Sequence, residues 1–80
     1  MRVRVRLFGA LAPYRPATAP GTGSFDFEVA EGVSVAALIE CLGAPAALAR
    51  VCAVNGTIVE RAAVLAAGDE VTLVPAASGG

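Results

Sequence analysis

Few side chains in these 80 residues can carry out covalent chemistry. Histidine and lysine are absent, all six basic residues are arginine, and Cys41 and Cys52 are the only thiols. Without histidine the usual general base at neutral pH is missing. Without lysine there is neither a Schiff-base amine nor a side-chain amine to acylate. Cys41 and Cys52 lack metal-ligand spacing and partner ligands. One falls in a helical pattern and the other in a strand pattern, both places where cysteine serves as a small buried hydrophobe; neither has an assured basic neighbour to lower its pKa. What remains is the α-carboxylate behind Gly79-Gly80. Two residues without Cβ can thread a narrow channel and take backbone angles closed to other residues. A carboxylate is a poor electrophile until a second enzyme converts it to an acyl-adenylate. Chain ends are ordinarily frayed, and with glycine at 9 of 80 positions a terminal pair arises by chance about 1% of the time. The pair gains weight only if the residues before it fold into a domain that presents it.

Length and composition provide for one such domain. A chain of this size buries roughly 60–65% of its extended surface, enough to fold alone with modest stability. The hydrophobic fraction is 56%, much of it alanine, and no apolar run approaches the ~20 residues that span a bilayer. Met1 to Leu7 alternates arginine with apolar residues and contains no signal-like apolar stretch. A soluble cytoplasmic protein is expected. Net charge is −1, which leaves no generic nucleic-acid footprint.

Strand, helix and turn signals run along the rest of the chain. Arg2 to Leu7 alternates with period two and predicts a strand with Val3, Val5 and Leu7 inward. Gly9 to Ser24 holds three of the five prolines, and its second half reads as a mobile loop. Phe25 to Val29 alternates again, with Phe25, Phe27 and Val29 inward and its acids across from the arginines of the first strand. Ser34 is a natural helix N-cap, and Val33 with Leu38 forms a hydrophobic staple. Val35, Leu38, Ile39 and Leu42 recur on one helical face before Gly43 terminates the helix. Pro45 opens a short turn to Ala49. Val51 to Val54 predicts a third strand, Asn55-Gly56 a tight hairpin, and Thr57 to Val59 a short return strand. Gly68-Asp69 turns the chain into a last strand with Val71 and Leu73 inward.

First and last strands are the expected central pair, parallel because the crossover between them contains the helix. The fold class is then α+β: a β-grasp, ubiquitin-like mixed sheet of four to five strands with one main helix on one face. A generic α+β sandwich with another strand order is the alternative. The expected division is a domain over residues 1–74 and a C-terminal tail over 75–80.

Ala53-Val54-Asn55-Gly56, then Gly68-Asp69-Glu70-Val71, then a proline-containing tail ending Ser78-Gly79-Gly80, resembles the MoaD/ThiS family of ubiquitin-like sulfur carriers. The opening Val5-Arg6-Leu7-Phe8-Gly9 and the helix Val33 to Leu38 fit the same family, so the resemblance covers nearly the whole chain. Chain length, the Leu7-Phe8 opening and the Pro75 stem resemble the molybdopterin-synthase small subunit more than the thiamine carrier. At Ala12, where the family often has arginine, the sequence departs, with Arg15 displaced. The resemblance implies that an ATP-dependent, ubiquitin-activating-enzyme-like adenylyltransferase activates the Gly80 carboxylate. Sulfur from a persulfide-bearing protein would then leave a thiocarboxylate, which a larger synthase subunit uses on a pterin precursor. In that arrangement the chain is a sulfur-donating subunit, binds no cofactor itself and leaves ATP to its partner. Gly21-Thr22-Gly23 is too short and unflanked for a phosphate loop.

Docking is expected on the sheet face opposite the helix. Alternation places Arg2, Arg4, Arg6, Thr72, Val74, Val51 and Ala53 there. For the arginines, an ordinary solvated face explains the pattern equally well. Val74 and Ala53 form an apolar patch beside Pro75, the kind of surface partners prefer; Phe8 fits either core or contact. Three function classes stay open on the sequence: a sulfur carrier, for molybdenum cofactor or for a tungsten, cysteine, thiamine or specialised-metabolite route; a protein modifier using the same activated terminus; and a non-covalent β-grasp binding module.

Overall fold

The computed structural model describes residues 1–19 and 23–75. Among the described residues there are five strands: β1 (Arg2–Leu7), β2 (Phe25–Glu28), β3 (Val51–Val54), β4 (Thr57–Val59) and β5 (Glu70–Val74). They form one mixed sheet in the order β2-β1-β5-β3-β4. The central β1 and β5 are parallel, and every other pairing is antiparallel. With the helix α1 (Val35–Leu42) in the crossover, this is the β-grasp arrangement expected from the element order, a ubiquitin-like fold.

Each strand contributes its alternate residues to one core. Val3, Val5, Phe25, Cys52, Val71 and Leu73 are buried from the sheet, and Val35, Leu38 and Ile39 from α1. The side-chain stripe of α1 follows the 3.6-residue period, with Leu42 completing it at partial burial. Ser34 caps the helix, its Oγ accepting from the Ala37 N–H at 3.2 Å. Gly43 ends it, returning its N–H to carbonyls of the last turn. Cys41 corrects the sequence reading: it is exposed, because it falls off the apolar stripe on the side of Glu40. Cys52 is buried as expected.

Between β1 and β2 the chain does more than loop. Gly9–Tyr14 is a 3-10 helix, and its Leu11 is completely buried. Full burial of a leucine stabilises by about 1.5–3 kcal/mol, so this segment is a core element. Arg15 holds the far side of the connection, donating to the Gly23 carbonyl and lying 5.0 Å over the Phe25 ring. Among the described residues no helix is long and apolar enough to cross a membrane.

Candidate functional site

Beyond Pro75 the chain lies outside the described residues, and Gly79 and Gly80 fall in that part. The structure does describe the surface from which it departs. Register fixes that surface rung by rung. Arg6 on β1 is abreast of Thr72 on β5, which is abreast of Ala53 on β3, which faces Ile58 on β4. The next rung pairs Val74 with Val51. Phe8 keeps an extended backbone (φ −117°, ψ 154°) and its N–H donates to the Leu73 carbonyl at 3.2 Å. Continuing the register by one pair brings Phe8 abreast of Val74.

Side chains on these rungs point away from α1, and burial confirms the sorting. Val71 and Leu73 are wholly buried, whereas Phe8 is 44% exposed, Val51 38% and Ile58 75%. An apolar band of Phe8, Val74, Val51, Ala53 and Ile58 therefore crosses the open sheet face beside Pro75. Phe8 belongs to this surface rather than to the core.

The arginines divide. Arg2 pairs with Glu28 at 3.2 Å. Arg4 donates to Ser24 Oγ at 3.1 Å and stands abreast of Asp26 and Glu70. These two build the expected cross-strand charge ladder toward β2, worth little energetically at such exposure. Only Arg6 shares a rung with the apolar band. Of the residues expected for docking, Val74, Pro75, Ala53, Thr72, Arg6 and Phe8 come together, while Arg4 sits one rung away among acids.

Ile58 was not singled out from the sequence, although the signal was present. A two-residue Asn55-Gly56 turn sets Val54 opposite Thr57 and hence Ala53 opposite Ile58, which carries Ile58 onto the outward face. The turn has the backbone such hairpins need, with φ 52° at Asn55 and 84° at Gly56.

The two short motifs also meet. Asn55 Nδ2 donates to Asp69 Oδ1 at 3.0 Å, and the Glu70 N–H donates to Asn55 Oδ1 at 2.9 Å. Asp69 Oδ2 accepts from the Ala66 N–H at 2.8 Å. Val-Asn-Gly and Gly-Asp-Glu are thus halves of one clamp that fixes the β3-β4 hairpin to the start of β5. Among the described residues no group of three or more His, Cys, Asp or Glu side chains could hold a metal ion.

A five-strand grasp around one helix, with an apolar open face at the end of its central strand, is the architecture of ubiquitin-like β-grasp proteins. The model of the ThiS family matches residues 5–80, and the chain belongs to that family of ubiquitin-like sulfur carriers. Among solved structures it is similar to SAMP1 from Haloferax volcanii, at 26% identity over all of both chains with a TM-score of 0.68. It is also similar to a putative molybdopterin converting factor subunit 1 from Pyrococcus furiosus, at 26% identity over 92% of this chain and 95% of that one, TM-score 0.67. A complex of subunits 1 and 2 of the molybdopterin-converting factor from Helicobacter pylori contains the same fold, at 23% identity over all of both chains and a TM-score of 0.58. No match was found among curated protein sequences.

Proposed function

We propose that this chain carries sulfur on the Gly80 carboxylate, acts in the cytoplasm, and delivers that sulfur as the small subunit of a molybdopterin-synthase-type enzyme. The observation that carries the reading is the apolar band of Phe8, Val74, Val51, Ala53 and Ile58 beside Pro75, in a member of the ThiS family whose matched region reaches residue 80. A large subunit docking on that band would receive residues 75–80 as an arm, with residues 1–74 as the docking body. The name of the Pyrococcus furiosus protein, subunit 1 of a converting factor, favours such a two-subunit partnership.

The chemistry proceeds in three steps. A carboxylate oxygen of Gly80 attacks the α-phosphorus of ATP held by an adenylyltransferase, and pyrophosphate leaves. The acyl-adenylate carbon is then attacked by the terminal sulfur of a protein persulfide, releasing AMP and forming an acyl disulfide. A second thiol cleaves that disulfide, leaving a thiocarboxylate on Gly80 and a disulfide on the donor. Every acid, base and phosphate ligand in these steps belongs to the partners, and ATP is their substrate. This chain supplies the carboxyl group, the docking face, and at Gly79 an arm without side-chain bulk.

Removing Gly80 tests the reading. The expected result is loss of ATP–pyrophosphate exchange by the cognate adenylyltransferase with the thermal midpoint unchanged; unchanged exchange would sink it. A second reading is favoured by the likeness to SAMP1, whose name is small archaeal modifier protein 1. In that reading an amine of another protein attacks the Gly80 acyl-adenylate, AMP leaves, and an isopeptide bond forms.

A further inference from the structure

We propose that Gly9 is a positioning residue for the C-terminal arm: it seats the ring of Pro75 and thereby sets the direction in which the arm leaves the sheet. The proposal rests on the carrier reading above and adds to it the device that aims the reacting carboxylate.

The contact arises where the parallel central strands part. The Phe8 N–H makes a last bond to the Leu73 carbonyl. Gly9 then takes φ +55° and turns the β1 chain away into the 3-10 helix. That helix is held down by fully buried Leu11, so the turn is tied to the core. The half-buried ring of Pro75 closes onto Gly9. A Cβ on residue 9 would lie 3.0 Å from Pro75 Cγ and 3.7 Å from Cδ, the former well inside the ~3.5–4.0 Å of ordinary carbon contact.

Gly9 differs in this from the other described glycines of positive φ. At Gly23, Gly32, Gly43, Gly56 and Gly68 an added Cβ would meet nothing within 4 Å. Their turns ask only for a backbone conformation. Gly9 answers a second demand, set by the root of the arm.

Pro75 makes the joint stiff. Its φ is locked near −65° and it has no N–H to continue the ladder, so β5 ends at Val74 and the ring sets the heading of the chain at the last described residue. Five residues extended in a partner's channel reach at most about 17 Å. On that lever a 10° rotation at the joint moves the tip by about 3 Å. A misplacement of 1 Å at reacting atoms can cost about 100-fold in rate. The seat is therefore a geometric control over the Gly80 carbon, exerted from the root of the arm.

The test uses the full chain, its cognate adenylyltransferase and ATP, comparing Gly9→Ala, Pro75→Ala, the double variant and Gly32→Ala. Gly32→Ala carries the φ strain alone and is expected to lower the thermal midpoint with wild-type kcat. Gly9→Ala is expected to lower kcat for Gly80 adenylation about tenfold or more with KM for the carrier little changed, because the docking band is intact. Pro75→Ala is expected to lower kcat severalfold, and it decides the matter by itself should Gly9→Ala not fold. In the double variant kcat should equal that of Pro75→Ala, since without the ring a methyl group at residue 9 has nothing to displace. Wild-type kcat in Pro75→Ala, or a Gly9→Ala loss that persists undiminished without the ring, would overturn the proposal. Failure of the wild-type chain to be adenylated overturns the carrier reading and the proposal together, whereas equal turnover by all variants overturns the proposal alone.

Discussion

Cys52 is 3% exposed and sits beside Arg61, whose charge and hydrogen bond favour the thiolate. Burial is the larger influence and pushes the thiol pKa up. It is thus an inert core residue at neutral pH, while Cys41 on the outer side of α1 faces solvent. Iodoacetamide near neutral pH should label Cys41 in the folded protein and spare Cys52 until denaturant is added, as peptide mass mapping would show; comparable labelling of both would contradict the packing. The raised pKa also sets a sign for stability. From about pH 9 upward the unfolded chain loses the Cys52 proton before the folded chain does, so stability falls as pH rises. Denaturation midpoints should therefore decline more steeply in that range for wild type than for Cys52→Ala.

At the scale of elements, the Asn55–Asp69 clamp explains why two unremarkable tripeptides occur together. Asn55 supplies the left-handed turn residue and at the same time bridges to Asp69 and to Glu70, the first residue of β5. Asn55→Gly keeps the turn geometry and deletes the bridge; Asp69→Ala deletes it from the other side. Each variant loses two of these hydrogen bonds and should cost about 2 kcal/mol at the usual net value of ~1 kcal/mol apiece, or roughly 8–16 °C in a domain of this size. The double variant should cost less than the sum, because both remove one contact. Gly80 adenylation should be unaffected, and strictly additive losses in thermal melts would argue that the clamp is not a unit. Strand and helix limits were legible in the sequence because alternation, the Ser34 cap and the Asn55-Gly56 turn are all local signals. The 3-10 helix was not. A single leucine among Gly9, Ala10, Ala12 and Pro13 has no period to detect, and Leu11 is in the core only because the β1 exit aims it there. Cys41 was misplaced for a related reason, since a helical pattern fixes the stripe but a cysteine beside it is apolar enough to be counted in.

At the scale of the molecule, one face of the sheet buries the core under α1 and the other combines a charge ladder near β2 with an apolar band near β3 and β4. Parity along the strands showed which residues face outward; it could not show that Arg4 joins the ladder while Arg6 borders the band, since both lie on β1 between the same two strands and only the register separates them. The Gly9–Pro75 seat was invisible for the same reason: the parallel pairing of β1 with β5 was expected, but its register, which brings these two positions together, was not readable. Val74→Asp tests the band. A desolvated carboxylate at an interface costs more than the ~1.4 kcal/mol that corresponds to a factor of ten, so partner affinity should fall at least tenfold in a titration. Saturating partner should restore transfer, because the variant leaves Gly80 intact; a defect that survives saturation would place Val74 in a later step. Whether Gly80 carries sulfur is read from the intact mass of the protein isolated from its native host with the cognate adenylyltransferase present. The expected result is a population heavier by one oxygen-to-sulfur exchange, with fragmentation assigning it to Gly80. A mass that stays unmodified throughout, or one increased only by an attached protein, would contradict the sulfur-carrier reading.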